Sequence, residues 1–151
     1  MRKHSTEFYF YPNDLKNLPI MMINLEKQKP FVEKTQKRIE LARDYGETLE
    51  SFSRHLKRNY PLKDFVKKFE KIYEITFDEF WKEIKKQKIK VGPTEEQTED
   101  RHFTKTNNQL RLIVEEIKSI DQELDEMVFA LYEISDSEKM MIESNVNDSN
   151  I

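Results

Sequence analysis

Only two glycines, Gly46 and Gly92, occur in 151 residues. That is too few for the tight turns of a many-stranded sheet or for a glycine-rich loop that cradles phosphates, which excludes most nucleotide-binding chemistry. Cysteine is absent, so there are no disulfides and no thiolate metal sites. No apolar run reaches the roughly 20 residues that a membrane-spanning helix needs, and Met1-Arg2-Lys3-His4 is not followed by a signal-peptide core; the expected location is the cytoplasm. Hydrophobic residues supply 36% of the chain and charged residues another 36%. Such a balance allows one modest core and favours long two-faced helices.

What is present is periodicity. Phe103, Thr106, Leu110, Ile113, Ile117, Ile120, Leu124, Met127 and Leu131 alternate in steps of three and four, the spacing of a coiled-coil seam. The helix they predict starts upstream, where Thr94-Glu95-Glu96-Gln97 reads as a capping box, and needs a partner along its length. Val32, Thr35, Ile39, Ala42, Gly46, Leu49, Ser53 and Leu56 follow the same alternation, with Phe31, Leu41, Tyr45 and Phe52 widening the stripe. This second helix is the expected partner. Its small residues Ala42, Gly46 and Ser53 would admit close approach by the larger residues of the later seam. Asn24 is a candidate N-cap, Pro30 is expected to kink the helix or defer its regular start, and Tyr60-Pro61 ends it.

Between the long helices, Leu62, Phe65, Val66, Phe69, Ile72 and Tyr73 are spaced for one amphipathic helix. Thr76-Phe77-Asp78-Glu79 is a capping box that opens another, carrying Phe80, Trp81 and Ile84. Ser135-Asp136-Ser137-Glu138 opens a short helix after Leu131. The expected fold is all-α: an antiparallel pair of long coiled-coil-like helices within one chain, joined by a cap of two short helices, with a short C-terminal helix. Residues 1–23, with the aromatic run Phe8-Tyr9-Phe10-Tyr11, read as an extended remnant of a preceding target-recognition-like domain; 24–143 as a helical spacer and docking domain; 144–151 as a disordered tail.

Charge divides along the chain. Residues 57–90 hold eleven basic against six acidic side chains, and residues 115–143 hold two against ten. Lys82, Lys85, Lys86, Lys88 and Lys90 are candidate contacts to a DNA phosphate backbone, weighed against a solubilising face that balances the acidic helix. His4, His55 and His102 show no metal-ligand spacing and receive no role. The acids Asp121, Glu123, Asp125 and Glu126 surround a helix and read as a solvated face. No catalytic, cofactor-binding or metal residue is assigned, and the chain is expected to have no enzymatic activity of its own. The seam residues singled out are Ile39, Ala42, Gly46, Leu49 and Leu56 on the first helix, facing Leu110, Ile113, Ile117, Ile120, Leu124, Met127 and Leu131.

The stretch from Asp121 to Glu138, DQELDEMVFALYEISDSE, resembles the "Ile-Asp-x-Glu-Ile-Asp-x-Leu-Val-Tyr-x-Leu-Tyr-Gly-Leu-Thr-x-x-Glu" ending of type IIG restriction-modification enzymes and related DNA adenine methyltransferases. Leu15-Lys16-Asn17-Leu18-Pro19-Ile20, followed by Leu25 to Phe31, is similar to the passage from target-recognition domain to first helix in these enzymes and in type I specificity subunits. Phe77 to Lys86 is similar to their connector. The likeness spans about Leu15 to Glu143. It departs at Glu133, where the family has glycine, and in lacking both an Asn-Pro-Pro-Tyr-type motif and an upstream cofactor-binding sheet. It implies the C-terminal helical part alone, a spacer that docks to the methyltransferase and target-recognition domains of the same or a companion chain, with DNA backbone as a further partner and no membrane. S-adenosylmethionine would belong to the parent enzyme. The alternative is a free-standing coiled-coil adaptor or homodimer.

Overall fold

The computed structural model describes residues 20–60, 67–87 and 92–148. The aromatic run at Phe8–Tyr11, the residues Leu62, Phe65 and Val66, and Lys88 and Lys90 lie outside the described residues. Helix α1 covers Leu25–Asn59, a 3-10 segment Lys67–Glu74, α2 Phe77–Lys86, α3 Pro93–Leu131 and α4 Asp136–Asp148; no strand occurs among the described residues. The long helices have 35 and 39 residues, or about 53 and 58 Å at 1.5 Å per residue.

Caps explain where the helices begin and end. Asn24 Oδ1 accepts the Lys27 N–H at 2.9 Å, and the Gln28 side-chain amide donates to the Ile23 carbonyl at 2.9 Å. Anchored this way, α1 starts at Leu25 and runs unbroken through Pro30; the expected deferral does not occur. Tyr60 takes extended backbone ahead of Pro61, as a residue before proline favours. Thr76 and Glu79 form the reciprocal capping box, with Thr76 N–H to Glu79 at 2.8 Å and Glu79 N–H to Thr76 Oγ1 at 3.3 Å. The cap of α3 falls two residues earlier than expected. Gly92 is the N-cap, Pro93 occupies the first helical position, and Glu95 accepts the Gly92 N–H at 2.7 Å. In the first connecting piece, Lys71 leaves helical geometry (φ −117°, ψ 47°). A kinked 3-10 segment therefore stands in place of a smooth amphipathic helix.

The C-terminus of α3 closes on a Schellman arrangement: Ile134 N–H bonds the Phe129 carbonyl at 2.9 Å and Glu133 N–H the Ala130 carbonyl at 3.3 Å. Glu133 takes the left-handed conformation this requires, φ 54°, at the position where the resembling family has glycine. Since left-handed backbone costs a residue with a Cβ about 1–2 kcal/mol, Glu133→Gly is expected to stabilise the chain by about 1 kcal/mol, read as a raised urea midpoint with unchanged slope. Ser135 then opens α4, its N–H and hydroxyl both donating to Glu138 Oε2 at 2.9 and 2.6 Å. These bonds hold the Glu138 carboxyl below the usual range. Helix α4 continues to Asp148, so the expected disordered tail from residue 144 is helical through that point.

Helices α1 and α3 pack antiparallel, and cross-links fix the register. Met21 N–H donates to the Tyr132 hydroxyl; Lys34 pairs with Glu123, Arg38 with Asp121 at 2.6 Å and Lys37 with Glu116 at 2.5 Å; Gln109 donates to Thr48 at 3.2 Å. From residue 21 to residue 48 the partners run back from residue 132 to residue 109, the order of an antiparallel pair. The acidic half of α3 thus finds its countercharge on the first half of α1. Such exposed pairs contribute about 0–1 kcal/mol each and chiefly select the alignment.

The α1 face that meets α3 is Phe31, Lys34, Arg38, Leu41, Tyr45, Thr48 and Phe52, one residue earlier than the seam expected from the sequence. Ile39 is 55% exposed, and Ala42 and Gly46 are exposed as well. Both frames obey the three-four alternation. The observed one wins because it buries aromatic rings and places Lys34 and Arg38 opposite acids. Gly46 therefore serves no close approach, and a Cβ built there meets nothing within 4 Å among the described residues. Gly46→Ala is expected to raise stability by about 0.5–1 kcal/mol, measured by urea denaturation.

The core lies at the cap end. Phe52, Leu56 and Tyr60 of α1, Phe69 and Ile72 of the 3-10 segment, Phe80, Trp81 and Ile84 of α2, and Phe103 and Leu110 of α3 form one buried cluster. Phe80 is its hub, with ring centroids 4.9 Å from Phe103, 5.1 Å from Phe69 and 5.7 Å from Phe52. Asn107 Nδ2 bonds the carbonyls of Ile72 and Ile75 at 2.7 and 3.2 Å, and Arg111 Nε bonds that of Tyr73 at 2.9 Å, fastening the connector to α3. Toward the other end no such cluster forms among the described residues, and α1 and α3 cover each other, joined by Lys139 of α4 against Glu126 and Phe129. Ile117, Leu124, Met127 and Leu131 are accordingly half-buried there.

Candidate functional site

A buried polar group lies where the last turns of α1 meet the first turns of α3. Glu99 and His102 stand three apart on α3 and share a face; the antiparallel register brings His55 of α1 against them. Glu99 is 3% exposed, and a carboxylate taken that far from water requires partners. His55 Nε2 lies 3.1 and 3.0 Å from its two oxygens, and the Tyr60 hydroxyl donates to Oε2 at 3.0 Å. The Asn59 amide lies 3.1 Å from His55 Nδ1 and donates to the His55 carbonyl at 3.1 Å.

His102 lies flat on this pair. Its ring is 3.9 Å from that of His55 at 15°, and both imidazoles neighbour Phe52, with ring centroids 5.6 Å from it for His102 and 6.5 Å for His55. Burial, with His55 alongside, holds the His102 imidazole below its ordinary pKa and so neutral. Burial and the neighbouring Glu99 push the Tyr60 phenol well above its own. His102 Nδ1 is buried and accepts no hydrogen bond from the described residues. One ligand atom from each of His55, Glu99 and His102 lies within 4.8 Å of the others. A cleft of about 410 Å³, lined by Asn59, Tyr60, Thr94 and Thr98, opens onto His55 and Glu99. Sequence reading left both histidines without a role. The detectable signal was Glu99-x-x-His102, two ligand-type residues one turn apart on a predicted helix.

The candidate phosphate contacts are placed differently. Lys82, Lys85 and Lys86 are all exposed on α2. Lys85 pairs with Glu96 at 3.2 Å and lies 5.8 Å from the Trp81 ring, while Lys86 pairs with Glu83 at 2.9 Å. An incoming phosphate would have to displace both acids. Of the seam residues, Leu56 and Leu110 are fully buried, Ile113 and Ile120 are buried, and Leu49 packs against the core half-covered.

Residues 24–128 match the family described as a domain of unknown function (DUF8810). The chain belongs to the DUF8810 family. The matched span begins at the N-cap of α1 and ends three residues short of the end of α3, so it comprises the helical pair, its cap and the His55–Glu99–His102 cluster. No curated protein and no solved structure matches this DUF8810 chain. Among its described residues, no helix is long and apolar enough to cross a membrane.

Proposed function

We propose that this DUF8810 chain is a non-catalytic helical spacer and docking element of a DNA adenine methyltransferase or restriction-modification enzyme. The observation that carries the reading is the helical arm itself: two long helices locked in register, closed by an aromatic cap at one end and, among the described residues, open at the other. It accords with the likeness of Leu15–Glu143 to the helical end of such enzymes. At the open end, Met22 and Leu25 before and within α1, and Met140 and Met141 on α4, are exposed. Apolar side chains gathered there suit contact with a methyltransferase domain. The lysines of α2 are a secondary contact to DNA backbone, weakened by their own ion pairs.

The test is immunoprecipitation from the source cells with an antibody to this chain, followed by assay for transfer of the S-adenosylmethionine methyl group to adenine in duplex DNA. The precipitate is expected to methylate DNA, and the purified chain alone is not. Substituting Leu25→Asp together with Met140→Asp is expected to remove the methyltransferase from the precipitate while leaving the helical circular dichroism intact. A precipitate containing neither a methyltransferase chain nor the activity would refute the reading and favour the free-standing adaptor or homodimer.

A further inference from the structure

We infer that His55, Glu99 and His102 form a binding site for a divalent first-row transition ion that clips α1 to α3 beside the aromatic cap. Two imidazoles and one carboxylate are a donor set suited to Zn²⁺ and its neighbours, whereas Mg²⁺ and Ca²⁺ prefer all-oxygen shells. The Glu99 carboxylate already has Nε2 of His55 3.0 Å away, so an ion between them would find two donors in place.

The unpartnered Nδ1 of His102 is the second, independent observation. A buried ring nitrogen without a hydrogen bond is uncommon and calls for an explanation; an ion near it supplies one. Ligand atoms bound at about 2.0–2.2 Å to one ion lie closer together than the 4.8 Å limit observed here, so binding must draw them in. The stacked rings cannot both point at one ion while parallel. His102 is the ring that turns, since no hydrogen bond from the described residues holds its Nδ1. The Tyr60 hydroxyl, now on Glu99, remains to orient the carboxylate, and the cleft gives the ion an entry path and room for water in its remaining positions.

The experiment is titration of the intact, metal-free chain with Co²⁺ and with Zn²⁺. Expected are one ion per chain, visible Co²⁺ absorption bands indicating nitrogen and oxygen ligands, a higher melting temperature with Zn²⁺, and paramagnetic shifts of the His55 and His102 ring protons in the unsubstituted protein. His102→Phe keeps an aromatic ring in the stack and removes a ligand; it is expected to bind Co²⁺ more than about tenfold more weakly. The ring-proton shifts decide the matter even if that variant fails to fold. Absence of binding, or binding that leaves the His55 and His102 protons unshifted, would overturn the proposal and make the cluster a metal-free polar contact between helices.

Discussion

Phe52→Ala is expected to destabilise the chain by about 3–5 kcal/mol, the usual range for emptying a buried aromatic site, while Ile39→Ala changes stability by less than about 0.5 kcal/mol. Both positions follow heptad spacing on the same helix. Phe52 is 1% exposed, in contact with Phe80 and stacked on His102; Ile39 is more than half exposed. Removing the Phe52 ring leaves a void between α1, α2 and α3 that rigid helices cannot fill by collapsing. Against a total stability of about 5–15 kcal/mol for an ordinary domain, that loss leaves a large fraction of molecules loosened at the cap. Guanidinium denaturation of the two variants side by side reads the difference. Equal effects would mean that α1 faces α3 with the other frame.

Asn107→Ala is expected to cost about 1–3 kcal/mol, because the Ile72 carbonyl loses its short bond in a buried setting where water does not replace it. The effect should be local before it is global. Backbone amides from Ile72 to Phe77 are expected to exchange faster with solvent, while those in the middle of α1 and α3 keep their protection. Asn107→Asp, which keeps the shape but offers no donor at neutral pH, should cost at least as much. If Asn107→Ala were neutral, the connector would be held by its buried Phe69 and Ile72 side chains alone.

The sequence declares the helices readily and their rotation poorly. Capping residues such as Asn24 and Thr76 mark their own helix starts because the hydrogen bonds they make are local. Isoleucine and leucine fill six of the nine seam positions on α3, so its facing side is legible. On α1 the two competing stripes differ by one residue, and one of them places Lys34 and Arg38 on the contact face. Charged residues look wrong at a seam until the acids of α3 arrive opposite them. The polar cluster was hidden for a similar reason. His55 and Glu99 are 44 positions apart, and only the register of the finished pair makes them neighbours. Glu133 shows the reverse case: a departure from the resembling family's glycine that the structure absorbs as a left-handed residue instead of losing the turn.

The most direct test of the account is whether α1 and α3 pair within one molecule. Because the chain has no cysteine, Lys37→Cys and Glu116→Cys introduce unique spin-label sites at side chains that now form an ion pair across the two helices. Dipolar coupling between the labels is then measured before and after mixing and refolding with excess unlabelled protein. Strong short-range coupling that survives the dilution is the predicted result. Coupling that disappears on dilution would show that the helices pair between chains, contradicting the folded-back arm on which the spacer reading rests.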